Sequence, residues 1–338
     1  MISRIQLNNF GPLAGIDWSA LGKINLIIGG NGQGKTFLLK AIYSSLRTLE
    51  IYKRGQEQRS ASEILADKLY WTFQSEKIGD LVSKGAEAPL TSTLTIDNRD
   101  FSYSFGKDTT KQINSLENHV PPRTDNSIFL PAKEVLSLHQ VILKSREQDK
   151  AFGFDDTYYE LAVALRIATS SGRNFDAFAQ SRRALENLLG GVIEFDKGAG
   201  RWQFINKNRQ RFPIGVTAEG IKKIAILDTL LGNGYLSPNS VVFIDEPESA
   251  LHPKAIATLL DIITVLAERG IQFFMASHSY FVIKKLFLIA QEKNWSLPVI
   301  SATEDGWRQD DLKNGMPENP IIRESIDLYR QEMEMALQ

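Results

Sequence analysis

Three short stretches carry the residue types that could do chemistry on a phosphate ester. The first, "GGNGQGKT", sets Gly29, Gly30, Asn31, Gly32, Gln33, Gly34, Lys35 and Thr36 in a row. Its Gly29-x-x-x-x-Gly34-Lys35-Thr36 spacing fits a phosphate-binding loop between a strand and a helix. Glycines let the backbone come close and turn its N–H groups onto phosphate oxygens, and a helix N-terminus adds partial positive charge. Lys35 would reach the terminal phosphates, and Thr36 would ligate Mg²⁺. The second stretch, "SVVFIDEPESALHP" (240–253), ends four apolar residues in Asp245 and Glu246. A buried strand has no packing reason to finish on two adjacent carboxylates. Mg²⁺ prefers oxygen ligands and keeps several waters, so Asp245 is expected to hold the ion through water. Glu246 is expected to orient or deprotonate an attacking water. The third stretch, "FFMASHSYF" (273–281), ends an apolar strand in Ser277-His278-Ser279. It follows the acidic strand by one helix, so His278 should emerge on the same sheet edge and touch the γ-phosphate or the water.

The rest of the chain must hold these three stretches together. "INLIIG" (24–29) reads as the strand before the loop and 35–49 as the helix after it. Residues 2–7 read as a further strand across a Gly-Pro turn, and 60–75 as a second helix. "TSTLTIDNRDFSYSF" (91–105) alternates on both sides of Asp97-Asn98, a hairpin pattern. A strand after Ser127 is ended by Pro131. From 134 to 190 the chain is polar and helical, with aromatics at Phe152, Phe154, Tyr158 and Tyr159. "GGVIEFDKGAGRWQFI" (190–205) signals another hairpin. Helices over 218–231, 253–268 and 279–291 then alternate with strands over 240–244 and 271–276, which implies a parallel sheet. Both chemistry-bearing strand ends would lie where α/β sheets place ligands. The expected organisation is a nucleotide-binding lobe (1–133), an inserted helical lobe (134–190) and the remainder of the same α/β domain (191–338).

Composition narrows the field. The chain has 338 residues, 43% apolar and 23% charged, as in an ordinary globule. It lacks cysteine, which excludes disulfides, thiolate zinc sites and cysteine nucleophiles. No run approaches the roughly 18 apolar residues of a membrane span, and "MISRIQLNNFGPL" lacks the layout of a signal peptide. The cytoplasm is the expected compartment. A net charge of −1 gives no global field to draw the protein to nucleic acid.

Together, the early P-loop, the long interruption, "DEPESALHP" and "ASHS" resemble an ABC-type ATPase head of the branch containing RecF, SMC and OLD proteins. "IQLNNFGPL" before the P-loop strand is typical of that branch, as is the "LHP" after the acidic pair. The resemblance implies an α/β P-loop NTPase fold with a mixed sheet, antiparallel hairpins and an inserted helical lobe. It implies ATP and Mg²⁺ as cofactors, sandwiched between two heads in a homodimer or higher homo-oligomer. Each site would join one head's P-loop to the other head's signature segment. "VTAEGIKKIAIL" (216–227) stands in the signature's place, with Ala218 or Thr217 where the family has serine, then Glu219 and Gly220. Gly220 would let the backbone approach a phosphate. A D-loop between Ser249 and His252 would cross the interface. "FLPAKE" (129–134) stands in the place of the Q-loop, with Lys133 or Glu134 where glutamine is usual; a plain helix start fits it equally.

Stand-alone heads of this branch occur in bacterial anti-phage defence beside a separate nuclease or toxin, so such an effector is the expected partner. The rival readings are a RecF-like repair ATPase acting directly on DNA and a non-catalytic nucleotide-gated scaffold. A GTPase is disfavoured because "NKNR" (206–209) fails the guanine-reading Asn-Lys-x-Asp at its last position. Glu304, Asp305, Asp310 and Asp311 could serve a metal-dependent nuclease, but an acidic loop is the simpler reading. The 60 residues after His278 are too few for the Toprim nuclease of OLD proteins. Arg182-Arg183 and "RWQFINKNRQR" (201–211) interleave basic and aromatic residues as nucleic-acid sites do. A solvated hairpin face explains them as well, so DNA binding by the chain alone is expected to be weak.

Overall fold

The computed structural model describes residues 1–168, 178–303 and 306–337, with Ala14 by its backbone alone. Glu304 and Asp305 lie outside the described residues. The chain opens with a hairpin of β1 (Ile2–Phe10) and β2 (Leu13–Trp18). Gly11-Pro12 is the turn of this hairpin, so one more strand than expected separates the first strand from β3 (Ile24–Ile28). The P-loop and α1 (Lys35–Ile51) follow, then α2 (Ala61–Phe73), closed at its start by a Ser60–Glu63 capping box. Next come the hairpin β4 (Leu90–Ile96)/β5 (Arg99–Phe105), β6 (Ser115–Asn118) and β7 (Ile128–Leu130), which stops before Pro131.

The helical stretch contains α3 (His139–Glu147), α4 (Asp156–Leu165) and α5 (Ala179–Leu189). A small antiparallel sheet follows, of β8 (Gly191–Asp196), β9 (Arg201–Asn206) and β10 (Arg211–Pro213). The last third alternates α6 (Glu219–Gly232), β11 (Val241–Asp245), α7 (Pro253–Glu268), β12 (Gln272–Ser277) and α8 (Tyr280–Lys293). It ends with β13 (Pro298–Thr303), β14 (Gly306–Asp311) and α9 (Pro320–Ala336). β13 and β14 were not foreseen. They put Asp310 and Asp311 on an edge strand rather than an acidic loop, and Asp311 caps the turn at Lys313 while accepting from Leu297 N.

Six strands form the central sheet in the order β14-β13-β3-β12-β11-β7, with β14 antiparallel and the others parallel. β3 and β11 are buried along their whole length, as parallel strands covered on both faces must be. Alternation divides their side chains between two cores. Leu26, Val242, Ile244, Phe273, Met275 and Val299 join the core shared with α6, α7 and α8. Ile27, Phe243, Phe274, Ala276 and Ile300 join the core shared with α1, α2 and the five-stranded antiparallel sheet β2-β1-β4-β5-β6. α1 is thus clamped between two sheets, which fixes the P-loop at its N-terminus.

A buried ionic network ties the helical stretch to α1. Glu160 of α4 accepts from Arg47 Nε at 3.1 Å and from Lys68 Nζ at 2.6 Å, and Tyr43 OH also donates to it. Lys68 reaches Asp156 at 2.7 Å, and Arg47 reaches Glu50 at 2.6 Å. Burial pushes Glu160 up, but Arg47 and Lys68 outweigh it and bring the pKa down to about 2. Such a depressed carboxylate adds stability above its ordinary pKa and loses it as pH falls toward 2. Removing one partner of a buried ion pair costs about 3 kcal/mol. Glu160→Gln is therefore expected to lower unfolding free energy by about that amount at pH 7. The variant should also show a shallower loss of stability between about pH 4.5 and 2 than wild type. Urea denaturation across a pH series reads both effects.

Candidate active site

Gly32 and Gly34 have φ of +77° and +87°, in the left-handed region that side chains disfavour. Gly34 is also the N-cap of α1, so the loop needs glycine where the chain turns into the helix. Gln33 closes the loop on itself by accepting from Gly30 N at 2.5 Å. Lys35 is buried, with Nζ donating to Gly29 O and Gly30 O at 2.8 Å each. Burial lowers its pKa, and the nearby Asp245, Glu246 and Glu248 counter this. The ammonium group thus spans the loop, between the loop's carbonyls and three acids.

Thr36 Oγ1 donates to Asp245, at 2.9 Å from Oδ2 and 3.1 Å from Oδ1. This bond joins two residues 209 positions apart. The register explains it: Ile28 pairs with Ser277, and Ala276 pairs with Asp245, so β3, β12 and β11 end in one row. Burial raises the pKa of Asp245, and the hydrogen bond from Thr36 opposes the rise. Next in the chain, Glu246 has φ of +49°, a strained setting of the kind that recurs at functional sites. Its N–H donates to Ala276 O at 2.9 Å. His278 Nδ1 lies 3.4 Å from Glu246 Oε1 and 3.7 Å from Glu248 Oε1. Glu248 accepts from Ser277 Oγ at 2.8 Å and from His278 N at 3.2 Å, locking the acidic turn to the histidine turn. Its buried Oε2 has no hydrogen-bond partner among the described residues. Asn31 through Thr36 and Glu246 line one open cavity of about 680 Å³.

Lys133, Glu134 and Glu219 line a different cavity, of about 290 Å³, together with Lys223, Ser249 and Ala250. No P-loop residue lines it. Ala218 is the N-cap of α6 and has no side-chain capping bond, as expected of an alanine where serine would cap. A Cβ on Gly220 would fall 2.7 Å from Ala250 O and 2.5 Å from Leu251 Cδ2. Within its own chain, Gly220 thus lets the loop after Glu248 pack against α6.

Several residues at the site were not anticipated. Lys223 Nζ donates to Asp245 O at 3.2 Å and Glu246 O at 2.5 Å, holding the acidic turn from α6. Burial pulls its pKa down to about 8 against the pull of three acids. Lys40 and Asp155 line the P-loop cavity, as do Phe73, Gln74, Asp80 and Leu81 on its far wall. Glu248 was visible in the acidic motif, and Lys40 lies four residues after Thr36, on the same helix face.

The donors suit Mg²⁺. A hydroxyl and a carboxylate already converge at hydrogen-bonding distance, both hard oxygen donors. Among the described residues no group of three His, Cys, Asp or Glu could hold a metal ion by itself. An ion here would be completed by phosphate and water, the habit of Mg²⁺ in nucleotide sites.

The family described as "AAA domain, putative AbiEii toxin, Type IV TA system" matches residues 79–284, more than half of the chain. No curated protein matches. Among solved structures, an SMC head bound to the C-terminal winged-helix domain of ScpA is 13% identical. It aligns over 92% of this chain and 97% of its own, with a TM-score of 0.54. The SMC head with an extended coiled coil from Pyrococcus furiosus, bound to the C-terminal domain of ScpA, is 11% identical. It aligns over 98% of this chain and 99% of its own, with a TM-score of 0.51. At these identities the similarity shows the fold: an α/β P-loop head of the SMC type. Among the described residues, no helix is long and apolar enough to cross a membrane.

Proposed function

This chain belongs to that AAA-domain family, and on that premise we propose that it is an ABC-type ATPase that binds and hydrolyses Mg-ATP between two heads. The observation that carries the reading is the Thr36–Asp245 hydrogen bond, which joins the P-loop to the acidic strand beside the Glu246–His278 pair. Lys35 takes the terminal phosphates, with the N–H groups of the loop around it. Thr36 would ligate Mg²⁺ and Asp245 would hold it through water, and the ion would supply neutralisation of charge on the phosphate oxygens. Glu246 accepts the proton of the attacking water, and His278 sets the orientation of that carboxylate. The left-handed backbone at Glu246, held by Ala276 O and Lys223, gives this carboxyl its direction.

A head-to-head dimer is favoured because Ala218, Glu219 and Gly220, which open a helix, do not line their own chain's P-loop cavity, Glu219 lining the neighbouring one instead. A second copy could bring the same segment to the phosphates. Coupling to a separate effector, in anti-phage defence, extends the reading. The family is named for a toxin of a type IV TA system, and the solved SMC heads are complexed with another protein. Lys133 and Glu134 lie ahead of α3, in the segment that leads into the helical stretch that would move with closure.

Light scattering of the purified chain with and without Mg-ATP tests the assembly. ATP is expected to drive a two-fold dimer. An unchanged monomer at saturating Mg-ATP contradicts it. The same preparation incubated with plasmid, linear and single-stranded DNA is expected to leave the DNA uncut. Metal-dependent cleavage lost on mutating Asp310 and Asp311 would contradict the need for an effector.

A further inference from the structure

We propose that Asp155 is a positioning residue of the nucleotide site, holding a metal-bound water from the helical side. The inference rests on the ATPase reading above. Asp155 precedes α4 and is its N-cap, with Oδ1 accepting from Thr157 N at 2.8 Å. Its second oxygen, Oδ2, accepts from Lys40 Nζ at 2.6 Å. A cap needs only one oxygen, and asparagine would cap as well as aspartate. The nearly buried charge is partnered by Lys40, and Oδ1 also accepts from Thr157 Oγ1 at 2.5 Å, which leaves one acceptor position on Oδ2.

The location gives the use. Lys40 stands one helical turn beyond Thr36, so the two lie on the same face of α1. Lys40 and Asp155 both line the P-loop cavity with Thr36 and Glu246. Lys40 lies within electrostatic reach of Asp245. Tyr158, one turn into α4, feels both Asp155 and Asp245 in addition to its burial. Asp155 thus reaches the P-loop cavity from the helical stretch, beside Thr36 and Glu246. The absence of a three-carboxylate cluster among the described residues argues against direct ligation. Mg²⁺ retains several of its waters, and such a water can donate an O–H to the acceptor position that Lys40 leaves on Asp155 Oδ2. Lys133 and Glu134, in the expected Q-loop position, line the other cavity. Asp155 is therefore the residue through which the helical stretch reads the loaded metal.

Calorimetric titration of ATP into the full chain, first in EDTA and then in excess Mg²⁺, tests this. Magnesium should tighten ATP binding by wild type. Asp155→Asn keeps the cap and removes the charge. It should bind metal-free ATP at least as tightly, since one negative charge is gone and Lys40 is released toward the phosphates. The magnesium-dependent gain should shrink roughly tenfold or more, the usual effect of losing an outer-sphere partner. Asp155→Ala should lose the same gain and also melt earlier, through loss of the cap. General damage to the fold would weaken both titrations together and would count against the proposal. An Asp155→Asn protein with the full magnesium gain overturns the proposal alone. A wild type that binds no ATP in either buffer overturns the ATPase reading and the proposal with it.

Discussion

Lys35→Ala is expected to lose ATP affinity by about a hundredfold or more. Hydrogen bonds to charged groups contribute about 1.5–3 kcal/mol each, and two of them on adjacent phosphates exceed the roughly 2.7 kcal/mol that a hundredfold requires. Lys35 is the buried cation that spans the loop, bonded to Gly29 O and Gly30 O. Those two bonds also keep the glycines in their receptive conformation, so alanine removes both a ligand and part of the cradle. Titration of Mg-ATP by calorimetry measures the loss, with a thermal melt to show that the chain still folds. An affinity within threefold of wild type would remove Lys35 from the binding role.

Glu246→Gln should do the opposite kind of damage. Glutamine has the same shape, so Lys35, Thr36 and the loop keep their contacts and ATP affinity should change little. It cannot accept a proton from water, and positioned general bases contribute about a hundredfold to ten-thousandfold. Phosphate release should fall by that order, and the ATP-bound dimer should accumulate because closure precedes hydrolysis. Turnover at the wild-type rate would transfer the proton-accepting role to another group, with Glu248 the nearest alternative beside His278.

The parts of this account that were legible in the sequence are those in which chemistry and backbone coincide. The P-loop spacing, the carboxylates at the end of an apolar strand and the histidine one helix later each carry their own local reason. The register places all three strands at one edge, and the Thr36–Asp245 bond joins two of them. The elements that escaped are those whose reason is non-local. β13 depends on β3, far back along the chain, and β14 holds Asp310 and Asp311 through pairing with β13; β2 is the local exception, a hairpin partner of β1. The Arg47–Glu160 and Lys68–Asp156 pairs join residues 113 and 88 positions apart, and neither charge looks unusual in its own segment. Asp155 was readable as a helix cap before "DTYYELAVAL", but its approach to Lys40 was not. Lys133 illustrates the converse: its place along the chain suggested the nucleotide, and the fold sets it in a neighbouring cavity.

The most direct test is phosphate release from Mg-ATP by wild type, Lys35→Ala and Glu246→Gln purified side by side, with bound nucleotide measured in the same samples. Wild type should release phosphate only when magnesium is present. Lys35→Ala should neither bind nor release, and Glu246→Gln should bind without releasing. Equal release by all three proteins, or a wild type that neither binds nor hydrolyses ATP, would contradict an ATPase built on the joined P-loop and acidic strand.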